Sequence, residues 1–480
     1  MRKRFEPQLI IGQKLVKDIE IKRSRDAFPK LVLALKKLYL NEDLRDKVFH
    51  ILEEKIMTGK KRTGRKGMDM WVLFVLAQTR LCLNVSYDRL HHMANSDTLM
   101  RQIMGIETES GFPRIEIEYQ NIIDNVALLD DVTLFKINEI IVELGHNVLK
   151  KKEEEALFLK TDSFVVESNV HFPTDYNLLW DSGRKCLDIV RKICVKNSAV
   201  RGWRKACYWR KMLKNSCRRL GMATKSGGKN KEERLVSITQ YYINIARTLE
   251  RKLLSDIENF PIQDAEDFAL HFQLNYFIEM LSKHIDLLER RVIKGEQIPH
   301  SEKVFSIFEP YTEMINKGKQ HPNVELGKMV QITTDQHHLI VDHRVMEHEV
   351  DKSTVLALAD KLLNRFLIAG WSFDKGFYTA DNKSIMNMFI KELTMPKKGK
   401  LNQMEKEEEH TRRFKKLRNQ HSAVESNINE LENRGLDRCP DKGYAHFRRY
   451  VALSVCAYNL HRIGAELMRQ QQCKIKYRAA

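Results

Sequence analysis

The apolar run "ALFLKTDSFVVESNVHF", Ala156 to Phe172, is interrupted by the carboxylate of Asp162, and a second acid, Glu167, follows. The run reads as a β-strand, and an acid in a half-buried strand is costly unless it is paired, hydrogen-bonded or bound to a metal ion. Asp162 therefore requires partners elsewhere in the chain. Asp374 is one candidate. It ends the short strand expected within "IAGWSFDKGFYTADN", where Lys375, Gly376 and Phe377 turn the chain, and ligand groups of open α/β sheets collect at strand ends. Glu425 is another, on the helix expected across "RFKKLRNQHSAVESNINELENRG". Val424, Ile428 and Leu431 form the apolar stripe of that helix, and Arg418, His421, Glu425 and Asn429 run beside it at helical spacing. Cations one and two turns before a carboxylate suit a surface that grips phosphate while the acid holds metal; a solvated helix face is the other reading of the same row.

Other acids and histidines have simpler explanations. Asp335 falls at an expected hairpin tip, where Asp serves the turn. Asp342 and His343 are strand neighbours and point to opposite faces. Asp381 reads as the cap of a helix starting near Asn382. His91 and His92 are adjacent on a helix and diverge, which speaks against a shared metal.

The elements that must position these residues follow from periodicity. Helices are expected from Phe28 to about Ile106, with the basic connector "TGKKRTGRKGMD" between two of them. Ser86 and either Ser96 or Asp97 cap two short helices joined by "ANSD"; these resemble a helix-turn-helix, an ordinary bundle being the alternative. After the strand holding Asp162, Tyr176 to Gln297 reads as helix. Strands return from Lys303 in "KVFSIFEP", then in the hairpin "VELGKMVQITT" and "HLIVDHRV". A helix with Ser353 at its start, the strand ending at Asp374 and further helices from Met404 to Met468 complete the order. That order predicts an α/β fold: a mixed sheet flanked by helices, interrupted by a large helical insertion after its first strand.

With 480 residues, 42% of them hydrophobic, the chain has material for two or more domains. Its 82 Lys and Arg against 64 Asp and Glu give a net charge of +18, which suits a polyanionic partner. The eight cysteines form no CxxC pair and read as free thiols in a reducing compartment. No export signal is expected in "MRKRFEPQLIIGQKL", and the longest apolar run, Trp71 to Ala77, is too short to span a bilayer, so a soluble cytoplasmic protein is expected. The insertion opens with a basic stretch interleaved with aromatics. Its residues Arg201, Trp203, Arg204, Lys205, Tyr208, Trp209, Arg210 and Lys211 are the candidate nucleic-acid surface, bases stacking on rings while cations hold phosphates. The alternative is a solvated basic helix whose tryptophans face a core.

The chain resembles bacterial insertion-sequence transposases of the DDE type over nearly its whole length. The resemblance rests on "GRKGMDMWVLFVLAQTR" with "VSYDRLHHMANSDTLMRQIMGI", on "LKTDSFVVESNVHFPTD", on "SIFEPYTEMINKGK" with "VELGKMVQITTD", and on "SFDKGFYTADN", close to a DKGY pattern. It continues through "PKKGK", "RRFKKLRNQHSAVESNINELENRGLDRCPDKG" and "FRRYVALSVCAYNLHRIG". It implies an RNase H-like catalytic core over 151–175 and 300–470, an N-terminal helical region over 1–150 for end binding or dimerisation, and a helical insertion over 176–299. It also implies Asp162, Asp374 and Glu425 as the catalytic triad, holding Mg2+ or Mn2+, two ions per site. Glu167, an odd number of residues from Asp162, becomes an outward-facing bystander. Implied partners are double-stranded DNA, both the terminal inverted repeats and the target, and further copies of the chain on that DNA, the protein being nucleoid-associated when bound. The implied reaction is hydrolysis at the element ends followed by strand transfer of the freed 3′-hydroxyl. Many relatives carry Tyr, Arg and Lys around the helix glutamate; here Arg418, His421 and Glu432 stand in those places, which marks a different branch. Arg418 and His421 are expected at DNA phosphates, with Lys397, Lys398 and Lys400 of "PKKGK" adding a further contact. A silent DNA-binding descendant and a nuclease without strand transfer are the alternatives.

Overall fold

A computed structural model describes residues 2–5, 13–59, 67–109, 112–152, 155–316 and 324–479, without the side chains of 474–479. Most of the basic connector before Gly67 lies outside the described residues. The chain divides into two compact units, Val170–Met314 and the remainder, so the N-terminal helices expected as a separate region belong with the sheet.

In the larger unit, helices α1 (Ala27–Leu40), α2 (Glu42–Met57), α3 (Met70–Cys82), α4 (Tyr87–Ser96), α5 (Thr98–Met104), α6 (Tyr119–Val126) and α7 (Asp131–Leu149) precede strand β1 (Leu157–Ser168). Ser86 caps α4 and Asp97 caps α5, each side chain accepting a backbone N–H. Arg101, in the middle of α5, is fully buried and bonded to Glu107 and to the carbonyls of Ala94, Ile106 and Ile115, so this side chain holds the bundle together rather than facing solvent.

The smaller unit contains α8 (Asp175–Lys196), α9 (Ala206–Lys225), α10 (Lys231–Asp256) and α11 (Ala265–Leu288) around its own apolar core. The stretch "KVFSIFEP", expected as a strand, is irregular. The Ser306 hydroxyl accepts the N–H groups of Phe308 and Glu309, which turns the chain, and Phe308 lies under the cations of Arg184 and Lys185.

Strand β2 (Glu313–Asn316) leads back to the sheet, followed by β3 (Val324–Thr334), β4 (Ile340–Val345), α12 (Asp351–Leu363), β5 (Ile368–Phe373) and α13 (Ala380–Phe389). Then come β6 (Glu392–Thr394), α14 (Gln403–His410), α15 (Arg412–Leu431), β7 (Arg438–Cys439) and the long α16 (Tyr444–Ala479). The sheet is mixed and open, ordered β2-β3-β1-β5-β6, with β4 on β3 and β7 on β1. β1 is its centre. One edge pairs antiparallel with β3 from Lys160 to Glu167. The other pairs parallel with β5 only from Leu157 to Thr161, and with β7 at Glu167 and Ser168. Between those partners Asp162 to Val166 have no strand on that edge among the described residues. Leu157 and Leu159 point into an apolar core shared with Val355, Leu362 of α12 and Trp371, Phe373 of β5. The alternate residues Phe158 and Lys160 face α15.

After α15 the chain turns through Gly435 at φ +97°, a left-handed conformation that suits glycine, and a side chain there would collide with Asn84. Asp441 then accepts Arg80 Nη2 of α3 at 2.7 Å and Arg449 Nη2 of α16 at 3.0 Å, all three side chains being nearly buried. Removing one partner of such a group leaves buried charge uncompensated. Asp441→Ala is expected to lower unfolding stability by roughly 3–5 kcal/mol in urea titration, and a loss within the error of the titration would show that the network is incidental.

Candidate active site

The open edge of β1 begins at Asp162, and the paired strand β5 ends one residue before Asp374. Since Thr161 pairs with Phe373, Asp374 leaves the sheet beside Asp162, which stays in β1 paired with β3. Helix α15, started by the Thr411 hydroxyl accepting the Phe414 N–H, packs across β1 and β5 through Val424, Ile428 and Leu431. Glu425 is exposed beside that stripe, as is Asp374 at its strand end.

Asp162 is half-buried, and its pKa is pushed up to about 7. Burial is the main cause. The Ser163 N–H donated to its Oδ1 at 2.7 Å opposes the shift, and the negative charges of Asp374, Asp351 and Glu425 add to it. The structure thus brings the three expected acids into one electrostatic neighbourhood, together with a fourth that sequence reasoning missed. Asp351 opens α12, two residues before the expected start at Ser353, and its Oδ1 accepts the Ser163 hydroxyl at 2.7 Å. Its own pKa is raised by burial and then by Asp374. Its Oδ2 also lies where a side chain on Gly376 would begin, 2.8 Å from that position, so the turn after Asp374 needs glycine to pass it. A sequence signal existed in the acid at the head of an amphipathic helix, but such an acid is ordinarily read as a cap.

A hard divalent cation suits this donor set, which is all carboxylate oxygen around an acid disfavoured by its like-charged neighbours. The geometry is open: among the described residues no three His, Cys, Asp or Glu side chains stand ready to hold a metal ion. Asp374 and Glu425, the two exposed members, are the side chains with freedom to close it.

His421 does not stand on the surface as a phosphate-gripping cation. It is 8% exposed, its Nδ1 lies 2.9 Å from the Ser372 hydroxyl, and burial lowers its pKa to about 4, leaving it neutral near pH 7. Arg418 is exposed as expected. Lys397 is bound to Glu405 through Nζ at 2.8 Å, while Lys398 and Lys400 are exposed. Within the insertion, Trp203 belongs to the core, 6% exposed, with the Lys252 ammonium 4.7 Å from its ring centre and Phe260 beside it. Trp209 packs partly against the same core and Arg210 pairs with Asp188. Arg201, Arg204, Lys205, Tyr208 and Lys211 are exposed, so the stacking surface keeps its cations and one ring while its tryptophans fill the interior.

Among the competing groups, Asp335 is fully buried; it accepts the N–H groups of His337 and Leu339 and lies 2.8 Å from His146 Nε2. Asp342 pairs with Lys361 Nζ, and His343 lies against Phe135. Thr379, not Asp381, caps α13, accepting the Asn382 N–H at 3.0 Å. Glu167 pairs with Arg438 at 3.3 Å, away from the acids.

A raised folded-state pKa at Asp162 means that folding favours the protonated acid. Its contribution is present at low pH and lost as pH climbs from about 4, the unfolded value, to about 7. At about 1.4 kcal/mol per unit the loss is on the order of 4 kcal/mol. A cation that binds the ionised acids offsets it, so Mg2+ or Mn2+ is expected to raise the melting temperature more at pH 8 than at pH 6. Asp162→Asn is expected to raise the metal-free melting temperature at pH 8 and to abolish the metal response; a wild type indifferent to both ions would remove the metal from the site. Comparison with known proteins contributes no relative: no family model, no curated protein and no solved structure matches the chain.

Proposed function

We propose that the chain is a DNA transposase of the bacterial insertion-sequence DDE type, built on an RNase H-like core and cutting DNA at the ends of a mobile element. The observation that carries this reading is the half-buried Asp162, raised to about 7 and surrounded by Asp374, Asp351 and Glu425 where the sheet edge opens. Further support comes from the sequence resemblance, the mixed sheet with its large helical insertion, and the net charge of +18.

In this reading Asp162, Asp374 and Glu425 would hold two Mg2+ or Mn2+ ions, which when bound would supply activation of the attacking water or 3′-hydroxyl and stabilisation of the leaving oxygen. The remaining residues prepare that site. Ser163 holds Asp162 through its N–H and Asp351 through its hydroxyl, so the two acids keep a fixed relation. Neutral His421, bonded to Ser372, fills the space between β5 and α15 without adding a positive charge that would compete for the carboxylates. Exposed cations, among them Arg201, Arg204, Lys205, Lys211, Lys398, Lys400 and Arg418, are available to DNA phosphates. Pairing of two element ends by further copies of the chain belongs to the same reading, as does a cytoplasmic, nucleoid-bound location. Among the described residues no helix is long and apolar enough to cross a membrane.

The test is cleavage of a duplex carrying the DNA that flanks the gene, with Mg2+ or Mn2+. Wild type is expected to free a 3′ end. Asp374→Asn and Glu425→Gln should bind the duplex and cut about 10³-fold more slowly, since metal charge stabilisation is worth several kcal/mol and each 1.4 kcal/mol is tenfold. Binding without cutting by the wild type, with paired ends supplied, would favour the silent DNA-binding descendant; cutting without joining to target DNA would favour a nuclease. Asp351→Ala is expected to slow cutting roughly 10- to 100-fold, the usual loss for a group that orients a ligand, with duplex affinity unchanged. An unaltered rate would make Asp351 merely structural.

A further inference from the structure

We infer that the cleft between the sheet and α15 is a subsite for one or two unpaired nucleotides, their phosphates held by Lys160 and Lys416 and a base set against Phe158. The source of the strand, a DNA end entering the carboxylate site, rests on the transposase reading.

The cleft has a volume of about 860 Å3. That is the size of a small-molecule site, enough for a nucleotide, whereas a duplex, whose major groove alone is about 12 Å wide, does not enter it. Its walls come from β1, β5 and β6, from α15 and from the loop between β3 and β4. The chemistry of those walls is one-sided. Among the described residues Glu392 is the only acid on them, and Arg413 Nη2 already holds it at 2.5 Å. Lys160, half-buried on β1, and Lys416, exposed on α15, have no hydrogen-bonded or ion-paired acid among the described residues. Gln420 adds a neutral donor on the same helix.

The floor supplies the other half of nucleotide chemistry. Phe158 is 39% exposed, unusual for a central strand, and its ring lies over Gly370, where a β-carbon would come within 2.7 Å of it. Glycine at that position lets the ring lie across the neighbouring strand with apolar surface left open to the cleft. Aromatic surface beside paired cations is the combination that binds single strands without sequence preference, bases stacking while ammonium groups meet phosphates.

The cleft also leads to the acids. Lys160 is two residues before Asp162 on the same face of β1, and Ser372 two before Asp374 on β5. Ser422 and Ser426 bracket Glu425 on α15. A strand lying along Lys416 and Lys160 is therefore directed at the carboxylate cluster, which is where a strand end must sit to react.

Two fluorescent duplexes test this, one blunt and one with a short 3′ single-stranded extension, titrated with the full chain without divalent metal across a range of KCl. The wild type is expected to prefer the extended duplex at least threefold. Lys416→Gln and Lys160→Gln should each reduce that preference, and each should lower the slope of log affinity against log salt by roughly 0.7 for the extended duplex, with no change for the blunt one. Lys416 is exposed, so its variant tests the idea even where Lys160→Gln fails to fold. Equal binding of the two duplexes, or an unchanged slope in Lys416→Gln, would overturn the subsite. Displacement of the extension by inorganic phosphate as readily as by a thymidine dinucleotide would also overturn it, by removing the base contact. Cleavage with no preference for the extension would leave the transposase reading standing without the subsite; preference without cleavage would do the reverse.

Discussion

An acid in the middle of a sheet is tolerable only where the sheet lets go of it. β5 stops at Phe373 while β1 runs on to Ser168, and β7 rejoins the same edge only at Glu167. The interval between the two partners gives Asp162 an edge with no strand against it, places Asp374 beside it and leaves room for α15 to bring Glu425 across. Had β5 continued by two residues, Asp162 would be enclosed between two strands, and its desolvation would have no outlet. The collection of like charges at this point is unfavourable by itself, and among the described residues no cationic side chain is bonded to Asp162. Like-charged neighbours of this kind raise the pKa of the buried acid and favour its neutral form.

Much of this frame was legible in the sequence. β1, the hairpin strands β3 and β4, β5 and the polar row of α15 follow from alternation and helical periodicity; Asp162 stands out as an acid in an apolar strand and Asp374 as one at a strand end, whereas Glu425 is singled out from its polar row by the family resemblance. What escaped notice was determined by distant contacts. β6 and β7 are three and two residues long, too short for periodicity, and exist because β5 and β1 offer them edges. Asp351, ahead of the helix start expected at Ser353, carries no local signal of its role, because the Ser163 hydroxyl that it accepts lies 188 residues away in the chain. His421 shares its row with exposed Arg418, yet one turn of α15 carries it over Ser372 and out of water. The sequence pattern marks the row; only the neighbouring strand decides which members are buried.

The insertion shows the same division between pattern and context. Alternating cations and aromatics within "RGWRKACYWRK" suggested a continuous stacking surface, but a tryptophan contributes large apolar area, and a small four-helix unit has need of it. Trp203 accordingly fills the core against Phe260, and its cationic neighbours Arg201, Arg204 and Lys205 remain outside. This stretch therefore keeps its cations and a single ring, Tyr208, at the surface.

The short strand β7 has one more effect. It ties the chain just beyond α15 to the far end of β1, so from Asp162 the backbone runs through Glu167, crosses by the β1–β7 pairing to Arg438 and returns along the Gly435 turn to Glu425. Two acids more than 250 residues apart in sequence are thereby made members of one cooperative opening unit. Amide exchange at Ser168 and at the last turn of α15 should proceed by the same fluctuation, since the long loop between the two backbone segments is closed by the β1–β7 pairing while the acid side chains stay free to move.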